Sequence, residues 1–174
     1  MDILLLFLDN PEKEYHIREL ARITKNSPTT ISTKLKHFQK EGVLLSKRER
    51  NHLLYRANPN NPNFRDLKFC HNLKLIRTSG IIAYLQEFFN QPSAIVLFGS
   101  FRKAENIPAS DIDFLVISAK KDEPDLTEFE AKLKHKVQLF VYSQKEFKEL
   151  QKKNPELLNS FINGFILEGY LEVF

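Results

Sequence analysis

The run Ile112-Asp113-Phe114-Leu115-Val116-Ile117 constrains this chain most, because it sets a carboxylate inside an otherwise fully apolar strand. A buried charge must find a partner. Asp111 stands two positions earlier, and side chains alternate along a strand, so both carboxylates point to one face. Two carboxylates that close repel each other unless a cation lies between them, and oxygen-only ligands favour Mg²⁺ or Mn²⁺. A surface turn followed by a strand with an aspartate at its edge would leave Asp113 unexplained.

A second apolar strand, Ala94 to Phe98, ends at Gly99, where the missing side chain lets backbone approach a phosphate. Ser100 then opens a helix, so its hydroxyl and the helix start are available to triphosphate oxygens. Arg102 and Lys103 add positive charge at the same place. Ten residues separate Ser100 from Asp111. This constellation resembles the Gly-Ser, ten residues, Asp-x-Asp signature of the nucleotidyltransferase superfamily, particularly its minimal bacterial and archaeal members. The resemblance implies a small polymerase-β-like fold. It also implies Asp111 and Asp113 as metal and catalytic residues, with Gly99, Ser100, Arg102 and Lys103 as nucleotide ligands. Implied ligands are Mg²⁺ or Mn²⁺ and ATP or another nucleoside triphosphate.

Two residues depart from the pattern. The family places a third carboxylate on the adjacent strand, and the corresponding segment here, Lys136 to Val141, carries Gln138 at that position. An amide oxygen ligates a metal weakly and cannot act as a general base. Glu105, Asp125, Glu128 and Glu130 are the carboxylates available to substitute, and their spacing singles out none of them. The glycine often found soon after Gly-Ser is Ala104 or absent.

The first third of the chain has a different character. Of the 174 residues, 1–60 carry 11 Lys/Arg against 7 Asp/Glu, while the remainder carries 15 of each. Within 17–56 the balance is 10 against 3, the distribution of a polyanion-binding module joined to a neutral domain. Helices are expected over about Asp2–Leu8, Ile17–Thr24 and Ser27–Glu41. The second carries Ile17, Leu20, Ala21 and Ile23 on one stripe and is broken by Asn26. The third has a hydroxyl N-cap, proline at its first turn, Ile31, Leu35 and Phe38 inward, and Gly42 as C-cap. Two strands, Val43–Lys47 and His52–Ala57, follow around the turn Arg48-Glu49-Arg50-Asn51.

That order resembles a winged helix-turn-helix. The resemblance implies that Thr29, Thr30, Thr33, Lys36 and Lys40 on the outer face of the third helix, with Lys47, Arg48 and Arg50 on the wing, contact double-stranded DNA. A helical adaptor with a solvated basic face stays open as an alternative.

The expected fold class is α+β: a winged helix (1–60), a helical connector (61–91) and a mixed α/β nucleotidyltransferase-like domain (92–174). The Asn58–Asn63 breaker cluster serves as linker, and Ser79-Gly80 divides the connector. Beyond it, a helix at about Asp125–Lys134, a strand at Val137–Tyr142, helices at Lys145–Lys153 and Glu156–Asn163, and a strand from Phe165 to Phe174 are expected. No apolar run spans a bilayer and the start lacks signal-peptide features, so no membrane partner and a cytoplasmic location are expected. Cys70 is the only cysteine, which excludes an intramolecular disulfide, and the five histidines are scattered without ligand-like spacing.

Two functions remain open. One is transfer of a nucleoside monophosphate, AMP in the first instance, to a hydroxyl on a small molecule or a toxin-like partner protein, with the chain as antitoxin. The other is a DNA-binding regulator whose degenerate second domain senses nucleotide or forms a homodimer.

Overall fold

The computed structural model describes residues 2–50 and 52–173, and the chain divides into two compact units, 1–71 and 72–174. In the first, helix α1 (Ile3–Asp9) is capped by Asp2, whose carboxylate accepts from the Leu4 N–H. Strand β1 (Tyr15–His16) leads into α2 (Ile17–Thr24), which has the expected bounds and is closed by Lys25 in the left-handed conformation, one residue before Asn26. Helix α3 (Pro28–Lys40) starts as its sequence requires, with the Ser27 hydroxyl accepting from the Thr30 N–H. It stops at Lys40, and Gly42 takes the positive φ of 73° just beyond.

Strands β2 (Leu44–Glu49) and β3 (His52–Ala57) pair antiparallel, and β1 joins the other edge of β3. Both Arg48 and Glu49 lie in strand rather than turn; Asn51 falls outside the described residues. Ile3, Phe7, Leu20, Ile31, Leu35, Val43, Tyr55 and Phe64 form the core of this unit. Ile23, expected on the buried stripe of α2, is 37% exposed.

The Asn58–Asn63 cluster is built into the first unit. The Asn58 amide donates to the Gly42 carbonyl, and Asn61 Oδ1 accepts from the Phe64 N–H at the start of α4 (Pro62–Ser79). The division between units therefore falls inside α4, after His71. Gly80, at φ 84°, separates α4 from α5 (Ile81–Phe88).

The second unit holds a mixed sheet in the order β6-β5-β4-β7. Strand β4 (Ala94–Phe98), buried at every residue, runs antiparallel to β5 (Ile112–Ile117) and to β7 (Phe165–Gly169). Strand β6 (Val137–Tyr142) pairs with β5 in parallel. Between them lie the single turn α6 (Gly99–Lys103) and α7 (Thr127–Leu133), while α8 (Gln144–Lys153) and α9 (Pro155–Ile162) precede β7. Strand β7 ends at Gly169, five residues short of the expected end at Phe174, which is not described.

One face of this sheet presents Val96, Phe98, Leu115 and Ile117 to Phe147, Leu158 and Phe161. The Phe161 ring meets those of Phe98, Phe140, Tyr142 and Phe147. Alternation puts Asp113 on this same face, at its end. The molecule is thus α+β, with helices and two sheets, and among the described residues no helix is long and apolar enough to cross a membrane.

Candidate functional site

Asp113 lies opposite Phe98 on β4 and opposite Gln138 on β6, so three strands converge on one spot at the end of the sheet. Gly99 follows Phe98 with φ 69°. A Cβ built on Gly99 would overlap the Asp113 carboxylate, so glycine is needed for the close approach as well as for the backbone angle. Burial raises the Asp113 pKa above the ordinary carboxylate range, and the Asp111 charge raises it further. The dyad is therefore electrostatically costly when both members are ionised.

Asp111 stands just before β5, where its Oδ2 accepts a hydrogen bond from Gln138 Nε2 at 2.7 Å. The amide thus spends a donor on one carboxylate and leaves the other uncompensated. Among the described residues no three His, Cys, Asp or Glu side chains gather in a way that holds a metal. The expected substitutes serve elsewhere. Asp125 caps Thr127, Glu128 pairs with Lys132, and Glu130 holds Lys136 and the Val137 N–H. The Glu105 N–H donates to the Ser100 carbonyl, and among the described residues no hydrogen bond or ion pair joins its carboxylate to the dyad.

Ser100 and Arg102 on α6 are half-buried, and Lys103 is exposed with no acidic partner among the described residues. Gly99, Arg102 and Lys103 line one wall of a cleft of about 360 Å³ whose other wall is α9 with its C-cap, at Asn159, Ser160 and Asn163. These α9 residues carried no motif, and only folding brings them to the Gly-Ser turn. Ala104 closes α6 at φ 58°, a left-handed position that glycine fills without strain.

The loop from Ala104 to Asp111 is positioned by a buried amide pair that nothing in the sequence announced. Asn72 Nδ2 donates to the Phe101 carbonyl at 2.9 Å and to Asn106 Oδ1 at 2.8 Å. Its own Oδ1 accepts from Asn106 at 3.4 Å. His135 Nδ1 lies 2.8 Å from the Ser110 carbonyl, and its ring meets Phe101 edge-on. A polar residue at a core position of α4 was the available signal for Asn72, and asparagines are too common in loops for Asn106 to stand out.

In the first unit, Thr29, Thr30, Thr33, Lys36 and Lys40 are exposed on α3. The hydroxyls of Thr30 and Thr33 are engaged locally, with Ser27 Oγ and the Thr29 carbonyl. Lys47 is tied to Glu14 at 2.8 Å and Glu49 at 3.4 Å, whereas Arg48 and Arg50 are exposed. Of the eight expected DNA contacts, Thr29, Lys36, Lys40, Arg48 and Arg50 thus keep their polar groups uncommitted among the described residues.

Residues 79–167 match the family model described as Polymerase beta, Nucleotidyltransferase. No curated protein and no solved structure matches the chain.

Proposed function

This chain belongs to the polymerase beta nucleotidyltransferase family, and on that premise we propose that its second unit binds a metal-complexed nucleoside triphosphate at the Gly99–Asp113 junction and transfers the nucleoside monophosphate to a hydroxyl. The observation that carries this reading is the close approach of Gly99 to an Asp113 carboxylate whose charge burial and Asp111 both disfavour. Two carboxylates fit Mg²⁺ or Mn²⁺, because such ions complete their shell with water and substrate phosphates rather than with a full protein cage. Asp111 and Asp113 would hold such a cation, which would supply charge neutralisation for in-line displacement at the α-phosphorus, with pyrophosphate as the leaving group. Gly99 and Ser100 admit phosphate oxygens to the backbone, and Arg102 and Lys103 supply counter-charge. ATP is the first candidate substrate, and a toxin-like protein is the acceptor that the minimal members of the family suggest.

The chain's own residues offer no carboxylate base at the third position. Gln138 can hold Asp111 in place but cannot take the proton of an attacking hydroxyl. This favours a second reading, in which the unit binds nucleotide without turnover and the chain acts as a regulator. In either case we assign the first unit a winged-helix role in double-stranded DNA binding, supported by its helix and strand order and its basic surface. Incubation of a labelled ATP with Mg²⁺ and cell extract, comparing the natural chain with Asp111→Ala, tests the first reading. Label transferred by the natural chain alone supports it. Nucleotide binding by the natural chain with no transfer sinks it in favour of the regulator.

A further inference from the structure

The first unit has a cleft of about 730 Å³ formed by β1, α2 and the start of β3, lined by His16, Arg18, Glu19, Arg22 and His52. None of the eight residues assigned to DNA above lies in it. We propose that this cleft is a seat for the sugar-phosphate backbone of duplex DNA, with Arg18 and Arg22 as its phosphate ligands. The proposal rests on the DNA-binding reading of the unit and names a contact surface that α3 and the wing do not provide.

Charge accounting within the unit singles out these two side chains. Its acids are largely spoken for: Glu14 and Glu49 by Lys47, Glu41 by His37. Glu19, the one carboxylate in the cleft, meets Lys13 at 3.3 Å and accepts from the His16 N–H at 3.5 Å. Arg18 and Arg22 are exposed and have no acidic partner among the described residues. They stand four residues apart on α2, hence on one helix face with Cβ atoms about 5–6 Å apart, where like charges repel at a cost to the helix. The fold accepts that cost without an internal return, and a bound anion removes it.

The chemistry of the cleft suits a phosphodiester strand better than a small anion. Each guanidinium presents a planar fork matched to phosphate oxygens, and two forks one turn apart reach successive phosphates. His16 and His52, from β1 and β3, bring their rings to 5.2 Å in an edge-on pair and offer further N–H donors on the same wall. Ile17 and Leu53 supply apolar surface for sugar carbons. No glycine-rich turn lies here to wrap a single phosphate in backbone N–H groups.

The test is a salt series of fluorescence anisotropy titrations of the full chain with a labelled duplex, comparing the natural protein with Arg18→Gln/Arg22→Gln and with Arg18→Lys/Arg22→Lys. Two lost phosphate contacts should weaken binding at least about tenfold and lower the slope of log K against log salt by about 2 in the glutamine variant. The lysine variant should recover most of the slope. Both variants should melt with the natural protein, since the exchanged side chains are exposed and unpaired. If the natural chain binds duplex and the glutamine variant matches it in affinity and slope, the cleft is overturned while the DNA reading stands. If the natural chain does not bind duplex at low salt, both fall. If free pyrophosphate or ATP displaces the duplex in the natural chain at stoichiometric concentration but not in the glutamine variant, the cleft is a small-anion site and the strand assignment is overturned.

Discussion

Lys68, fully buried in the first unit, and Asp113, half-buried in the second, are both ionisable side chains removed in part or whole from water, and they meet opposite kinds of neighbour. Lys68 is fully buried on α4, and its ammonium donates to the Leu8 carbonyl at 2.6 Å, at the end of α1. His71, one turn on, meets Asp9 at 2.7 Å. Burial lowers the Lys68 pKa to about 8 against the opposing pull of Asp9. Asp113 is met by a second carboxylate, so burial and Asp111 push its pKa the same way. The lysine is satisfied from within the fold, at the negative end of a helix dipole. The aspartate is set against the one ionic neighbour identified for it among the described residues, so ionising both carboxylates is unfavourable.

The contrast breaks most visibly at Gly99. Gly99→Ala should cost about 4 kcal/mol, from the left-handed backbone angle and the overlap with Asp113. It should also abolish any rise in melting temperature with Mn²⁺. Both are read from thermal melts with and without the cation. An unchanged melt would mean that Asp113 is free to move away, and the dyad would not be held together by the fold.

Lys68 gives the next largest effect. Folded, its amine titrates near 8, and unfolded at 10.5, so between those values the unfolded chain binds more protons and stability climbs with pH. Urea unfolding should show the natural chain gaining about 2 kcal/mol over Lys68→Met between about pH 7 and pH 9.5. The raised Tyr15 and Tyr55 hydroxyls work in the opposite direction at higher pH, where they remain protonated in the folded chain and ionise in the unfolded one. A difference that stays flat with pH would show that Lys68 keeps its proton when buried.

The smallest effect sharpens the comparison at the turn behind the dyad. Ala104→Gly relieves a left-handed alanine and should stabilise the second unit by about 1 kcal/mol or less, the loss of a buried methyl offsetting part of the gain. Denaturant midpoints measure it. A decrease would mean that the methyl's packing outweighs the backbone angle.

Much of the fold was legible because its signals are local. Apolar runs bounded by breakers marked β4 and β5 to the residue. Ser27-Pro28 marked the start of α3, and Gly80 divided α4 from α5. The Asn58–Asn63 cluster misled for an equally local reason: asparagine and proline signal a turn whether the chain is leaving a domain or folding back onto it. Ile23 looked inward by periodicity, but an eight-residue helix has too few turns for its stripe to settle which edge is covered.

By itself the sequence determined that Asp113 lies on the face of β5 shared by Leu115 and Ile117, with Asp111 two residues before it, and that a glycine precedes Ser100. These depend on strand alternation and residue identity, which need no partner. Only the tertiary structure decided that Gly99 abuts Asp113, that Gln138 bonds Asp111 rather than Asp113, that Asn72 and Asn106 hold the loop, and that Arg18 and Arg22 share a cleft with two histidines. Each of those facts joins residues distant in sequence or set by packing, and no local pattern encodes the distance between them.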